Sequence, residues 1–281
     1  MPEPPQLPPI AQQPLSLALW AAGDSALVAA VADQWAAFLA GLNREHELLL
    51  IDDAADDRTA ELAARHPQAR VLRDPARRGP GAALRLAAAA ARCPLLAFVP
   101  ADPTYHPDDL PRLLAEIDKA HVVSGHRAWR PVPLGLRAVG GLWRLFVRVL
   151  FGLPEEPLAG WLGWRGHGHN LAARALFAVR FHDVDCPFRL FRRELFDRLV
   201  IQSDGPFVHV EVLAKANFLG GVLTEAAIRR RPPDGAEQGS PRWSRQDFWR
   251  VFAHPEFRCV EAAKGAAPPA EEPAAAPPLP E

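Results

Sequence analysis

Short apolar runs that end in acid alternate with stretches of helical spacing. That alternation restricts the possible folds more than any other feature of the chain. The clearest runs are Leu48-Leu49-Leu50-Ile51-Asp52-Asp53 and Leu95-Leu96-Ala97-Phe98-Val99-Pro100-Ala101-Asp102. Continuous apolar runs of this length read as strands buried on both faces. Residues 15–20 form an earlier run of the same kind, and 70–72 a shorter one. Between them, 25–42 places Val28, Val31, Trp35 and Leu39 on one helical face. Residues 58–66 read as a helix capped by Asp56 or Asp57, and 81–92 as an Ala-rich helix. A helix over 107–120 and a strand over 121–124 continue the pattern. This order predicts an α/β domain: a mostly parallel sheet flanked by helices, with right-handed crossovers. Ligands bind such sheets at the carboxyl edge of the strands, so the terminal acids mark a candidate site.

Composition narrows the class of function. A chain of 281 residues, 49% hydrophobic, can bury one large core. It carries 32 basic and 33 acidic residues, a net charge of −1, which gives no footing for nucleic acid. Only three of the basic residues are lysines. With the abundant Ala and Pro this reads as a genomic bias, so an arginine's role is argued by position. Cys93, Cys186 and Cys259 lack disulfide or zinc spacing, which fits a reducing, cytoplasmic setting. The Pro/Gln-rich start has no signal-peptide pattern. No apolar run reaches the roughly 18 residues of a membrane span. Residues 1–14 and 262–281 read as disordered tails, and 241–261 as a helical extension.

One segment departs from the α/β rhythm. Residues 134–153 are apolar but carry Arg137, Arg144 and Arg148 among Trp143, Phe146 and Phe151. Two readings stand: a helix lying peripherally on an anionic membrane surface, or a helix packed on the sheet with solvated arginines. A Gly/Trp/His-rich loop follows over 154–170, then a helical stretch near 170–178.

Several clusters could carry chemistry, each beside a plainer structural reading. Asp52 and Asp53, with Asp56 and Asp57, could accept hydrogen bonds from a base or ribose, or could cap a helix. Gly79-Pro80-Gly81 before a helix could admit a ligand to the backbone, or could make a tight strand-to-helix turn. Asp102 could supply one hard oxygen to a divalent cation, with Thr104 behind it and His106 better suited to Mn²⁺; a turn residue is the alternative. Asp183-Val184-Asp185-Cys186-Pro187-Phe188-Arg189 could orient a sugar and hold phosphates, or could be a polar loop leading into a helix whose exposed face carries Arg192 and Arg193. Glu211 could enter a cleft beside His209, or could form a buried contact. Arg229 and Arg231 alternate on a presumed strand and share a side.

In this order the clusters resemble the family 2 glycosyltransferases of the GT-A fold, across residues 15–240. The nearest branch is the polyprenyl- or dolichol-phosphate sugar transferases. Ile51-Asp52-Asp53-Ala54-Ala55-Asp56-Asp57-Arg58-Thr59 resembles the strand-two motif V-D-D-G-S-x-D-x-T. Gly79 to Arg85 resembles G-x-G-A-A-x-R, and Pro100-Ala101-Asp102 aligns with D-x-D. Ser124-Gly125-His126-Arg127 resembles a G-x-R turn, and 183–193 resembles D-x-x-C/S-G-F-R-x-F-R-R. The resemblance implies a UDP- or GDP-linked sugar donor, with Asp52, Asp53, Arg85, Ala101 and Asp102 around it and Asp53 near the base. It implies Mg²⁺ or Mn²⁺ on Asp102, phosphate contacts from Arg127 and from Arg229 or Arg231, and transfer with inversion. A polyprenyl-phosphate acceptor would need no strong base; a hydroxyl would need one, from Asp185 or Glu211. The chain departs from the family pattern: Ala54 replaces a usual Gly and the 154–170 loop reads as an insertion. Trp20-Ala21-Ala22-Gly23-Asp24 stands for P-A-Y-N-E, Pro100 for the first Asp of D-x-D, and Pro80 for a frequent Lys. The loss at Pro100 motivates an alternative, a catalytically inactive GT-A domain serving as a scaffold.

Overall fold

The computed structural model describes residues 10–22, 25–53, 64–74, 76–127, 173, 176–177, 181–229 and 244–258. Asp56, Asp57, Arg231, the Arg-rich segment at 134–153, the loop at 154–170, residues 1–9 and residues 259–281 lie outside them. The strands are β1 (Leu15–Ala21), β2 (His46–Asp52), β3 (Arg70–Arg73), β4 (Leu95–Pro100), β5 (Val122–Arg127), β6 (Arg189–Arg192) and β7 (Leu223–Ile228). The helices are α1 (Ser25–Ala40), α2 (Pro80–Ala90), α3 (Leu110–Leu114), α4 (Leu195–Arg198), α5 (Val208–Phe218) and α6 (Arg245–Ala253).

One sheet of seven strands runs β3-β2-β1-β4-β6-β5-β7. β1 pairs in parallel with β2 and β4, β2 with β3, and β5 with β7. β6 pairs antiparallel with both β4 and β5. Every strand except β6 therefore points the same way, as the apolar runs predict. Alternation along the strands divides the core in two. Leu15, Leu17, Leu19, Leu95, Ala97 and Val99 face a layer containing Trp35 and Leu39 of α1. Ala18, Leu49, Ile51, Leu96 and Phe98 face a layer containing α2 and α5. Burial on both faces is why these strands are written as unbroken apolar runs.

The structure revises four expectations. The helix over 107–120 is broken into a 3₁₀ turn at Pro107–Asp109, the short α3, and a second 3₁₀ turn at Ile117–Lys119. Pro111 has no N–H to donate, so it is confined to a first turn and a new helix starts there. The G-x-R segment lies within β5 instead of forming a turn after it. Residues 189–192 form a strand, not the lead into a helix. Residues 10–14, expected in the tail, are tied down: the Ile10 and Ala11 N–H groups donate to Asp118 Oδ1 at 2.6 and 2.8 Å.

Candidate active site

The topology gathers the acid-tipped ends. Because β1, β2, β4, β5 and β7 share a direction, Trp20, Asp52 and Asp53, Pro100 to Asp102, Arg127 and Arg229 all reach the same edge. β6 begins at that edge, so the turn at 183–188 leading into it is there too. This is where an open α/β sheet binds ligands.

Asp53 follows the last residue of β2, and its N–H donates to Ala21 O at 3.0 Å. The residue is 8% exposed. Its Oδ2 accepts from Trp20 Nε1 at 2.9 Å, while Oδ1 is buried without a partner. Burial holds its carboxyl above the usual carboxylate range and Asp74 adds to the rise; the Trp20 bond opposes it. An acid whose folded pKa is raised binds its proton more tightly when folded. Its penalty is absent below the unfolded value, 3.8, and grows as pH rises toward the folded value. Asp53→Asn keeps an oxygen for Trp20 and removes the charge. The variant should melt about 2–4 °C above the native protein at pH 7.5, roughly 1 kcal/mol at this size. The gap should close as pH falls toward 4, and paired melting curves across pH test this. A variant that melts no higher at pH 7.5 would show that the buried charge costs nothing.

The glycine segment has a structural use. Gly79 adopts φ 105°, and Gly81 N donates to Asp204 O at 2.7 Å. A Cβ on Gly81 would sit 2.0 Å from Ser203 O. The close approach anticipated for a ligand is made here by the protein's own 203–205 backbone. Arg85 belongs to the same contact. Its guanidinium donates to Ile201 O at 3.1 Å and Ser203 O at 3.0 Å and pairs with Asp204. It therefore holds a loop, and a donor contact from it would have to share these bonds.

Asp102 sits just past β4. Its Oδ1 accepts from Thr104 N at 2.8 Å, and no other described residue bonds its carboxylate. The Ala101 N–H donates to Trp20 O at 2.8 Å, fixing the chain's exit from the sheet. His106 is taken up locally: its Nδ1 lies 3.1 Å from Asp108 and its Nε2 2.8 Å from Gln34. No group of three or more His, Cys, Asp or Glu able to hold a metal occurs among the described residues. One accessible carboxylate fits a cation that takes its remaining oxygens from a diphosphate and water, the usual habit of Mg²⁺.

The turn before β6 is a built assembly. Asp183 and Asp185 are both buried. The Arg189 guanidinium beside them donates to Val184 O at 2.6 Å and to His209 O. Its burial pushes its pKa down to about 10, against the pull of Cys186, Asp183, Asp185 and Glu225. Arg189 thus braces the turn and is not open to a phosphate. Arg192, expected on an exposed face, is 1% exposed and donates to the carbonyls of Ala120, Ile117 and Asp118. Sequence reasoning missed Glu225 of β7. Its Oε1 accepts from the N–H groups of His182 (3.0 Å) and Asp183 (3.3 Å), and its Oε2 lies 2.7 Å from His182 Nδ1. Trp20 was also missed as a partner for Asp53, although its place in the altered P-A-Y-N-E segment was a signal.

Glu211 is taken up by the protein's own backbone and by Lys215. It is fully buried on α5 and accepts from Gln202 N at 2.7 Å, Ser203 N at 2.8 Å and Lys215 Nζ at 2.8 Å. These three donors occupy the buried carboxylate and count against its use as a base. Arg229 is exposed and lies one residue past β7, not within a strand. Its N–H donates to Asp109 Oδ2 at 2.9 Å.

Comparison with known proteins agrees with this fold. The model of glycosyl transferase family 2 matches residues 26–200. Uncharacterised glycosyltransferases of Mycobacterium tuberculosis and Mycobacterium bovis are 31% identical over 225 residues, covering 77% of this chain and 91% of theirs. Among solved structures, glucosyl-3-phosphoglycerate synthase of M. tuberculosis, in complex with phosphoglyceric acid, superposes with a TM-score of 0.51. It is 19% identical, with 79% of this chain and 74% of that chain covered. A mycobacterial protein superposes with a TM-score of 0.52 at 22% identity, covering 80% and 70%. The solved structures show a shared fold. With the family match spanning well over half the chain, this protein belongs to glycosyl transferase family 2.

Proposed function

We propose that the chain transfers a sugar, with inversion, from a nucleotide-diphosphate sugar to a phosphate-bearing acceptor, assisted by a divalent cation. The observation that carries this reading is the convergence of Asp53, Asp102, Arg127 and Arg229 on one sheet edge. Asp53 receives the base and Asp102 holds Mg²⁺ or Mn²⁺. The bound cation would neutralise charge on the departing diphosphate. Arg127 and Arg229, placed at the ends of adjacent parallel strands, supply positive charge for donor or acceptor phosphates. Arg189, through Val184 O, and Glu225, through the His182 and Asp183 N–H groups, hold the turn that carries Asp183 and Asp185, so its backbone is set before charge develops. An acceptor that attacks through a phosphate oxygen needs no base. One that attacks through a hydroxyl would give its proton to Asp185.

A glucosyl-3-phosphoglycerate synthase of the same fold has been crystallised with Mn²⁺, UDP and glucosyl-3-phosphoglycerate, superposing with a TM-score of 0.50. A small phosphorylated acid and a polyprenyl phosphate offer the same group to the arginines. Parallel transfer assays with 3-phosphoglycerate and with polyprenyl phosphate in detergent separate them. No helix among the described residues is long and apolar enough to cross a membrane.

In calorimetry with Mn²⁺, the protein should bind a UDP- or GDP-sugar. Asp102→Ala should weaken that binding about tenfold, roughly 1.4 kcal/mol, and remove its dependence on metal. Absence of binding across the nucleotide-sugar panel would overturn the proposal. Pro100 favours a second reading, a donor-binding domain without turnover. Release of free nucleotide from a sugar donor, lost in Asp53→Ala, would exclude it.

A further inference from the structure

Trp20 is half-buried and ends its strand between the two acid-tipped ones, in register with Ile51 of β2 and Pro100 of β4. Its indole N–H is spent on Asp53 Oδ2, so one oxygen of that carboxylate is engaged and the other, Oδ1, is buried without a partner. The neighbourhood also contains Asp74, Arg77 and the Gly79 N–H, which lies against the same carboxylate. Asp74 is itself committed, accepting from the Ala76 and Arg78 N–H groups and from the Arg78 guanidinium. A buried carboxylate oxygen left without a donor is costly, and a ligand carrying one N–H would relieve it.

We propose that Trp20 is a specificity-determining residue. By holding one oxygen of Asp53 it leaves a single acceptor beside N–H groups, and so selects a uridine over a guanosine diphosphate donor. The inference rests on the reading of Asp53 as the base contact. Uracil presents one donor, N3–H, between two carbonyl acceptors. That single donor is what a lone acceptor calls for, since the Trp20 N–H is already spent on Oδ2. Guanine presents two adjacent donors, N1–H and N2–H, which call for both oxygens of a carboxylate, and one of these is already taken. Cytosine and adenine set a ring-nitrogen acceptor beside their amine, which would oppose a carboxylate oxygen.

Calorimetry of UDP, GDP and CDP with Mn²⁺ tests the assignment without turnover. The native protein should bind UDP about tenfold or more tightly than GDP, the discrimination a good base contact supplies. Trp20→Phe, checked for folding by circular dichroism, frees Oδ2 and should bring UDP and GDP within about threefold of each other. Asp53→Asn serves as a second variant. With its oxygen held by Trp20, its amide N–H₂ takes the place of Oδ1 and meets the N3 acceptor of cytosine, so preference should move from UDP toward CDP. Equal binding of UDP and GDP by the native protein would overturn the proposal, as would an unchanged ratio in folded Trp20→Phe. So would an Asp53→Asn variant that still prefers UDP. If the native protein bound none of the three, the donor reading would fall with it, whereas the other outcomes would overturn Trp20 alone.

Discussion

Gly81→Ala should destabilise the protein by about 4 kcal/mol or more, placing it in the range reserved for severe core errors. The added Cβ would lie 2.0 Å from Ser203 O, 2.8 Å from Ser203 C and 2.9 Å from Asp204 O, and all three are backbone atoms. Neither side yields easily. Gly81 is in the first turn of α2, buried against the sheet, and the 203–205 segment is held by Arg85 and by Glu211. Urea denaturation should show a midpoint shift of that size or no folded protein. Gly220→Ala is the control. Gly220 has φ 77° with nothing within 4 Å of an added Cβ, so it should lose only about 1–2 kcal/mol from backbone strain. Gly81 has no positive φ to strain, so similar losses at the two positions would mean that the 203–205 backbone gives way to the added methyl.

Lys215→Met should cost about 3–5 kcal/mol, the loss expected when one partner of a buried ion pair is removed. Lys215 and Glu211 are one helical turn apart, with side chains 2% and 0% exposed. The ammonium also donates to Val200 O at 2.7 Å and to Gln202 Oε1 at 2.5 Å, and it lies over the Phe257 ring. Burial lowers the Lys215 pKa, and Glu211 opposes that fall. Without the ammonium, a charged carboxylate remains in the core. Glu211→Gln retains one acceptor for the Gln202 and Ser203 N–H groups and should cost less. Where that variant is folded, its turnover should stay within about threefold of native. Loss of a general base would instead lower turnover by roughly 10²–10⁴. A fall of that size with native stability would return Glu211 to the chemistry.

Local sequence carried much of the fold because a strand buried on both faces cannot disguise itself. Leu48 to Ile51 and Leu95 to Val99 hold no polar residue, so periodicity, length and the acids at their ends announce both the strands and their functional edge. β6 was hidden for the opposite reason. Arg189 and Arg192 make Arg189-Leu190-Phe191-Arg192 look solvated, yet both guanidinia are buried on carbonyls more than 70 residues away or across a tight turn. Only the assembled fold supplies those acceptors, and without them burying an arginine would be prohibitive.

The same division runs through the candidate site. Residue type and order are enough to say that acids end β2 and β4 and that the sheet is mostly parallel. Those two facts place Asp53 and Asp102 at one edge, because parallel strands must deliver their ends together. Which of the named residues remain available depends on long-range contacts. Gly81, Arg85 and Arg189 match the family's pattern in sequence and Glu211 is a candidate base, but each is committed to the protein's own backbone or to a buried ion pair. Asp53 keeps a buried oxygen without a donor, and Trp20, 33 residues earlier in the chain, determines which oxygen that is. Residue type fixes what a side chain is able to donate or accept; how much of that capacity remains for a ligand depends on contacts between segments far apart in the chain.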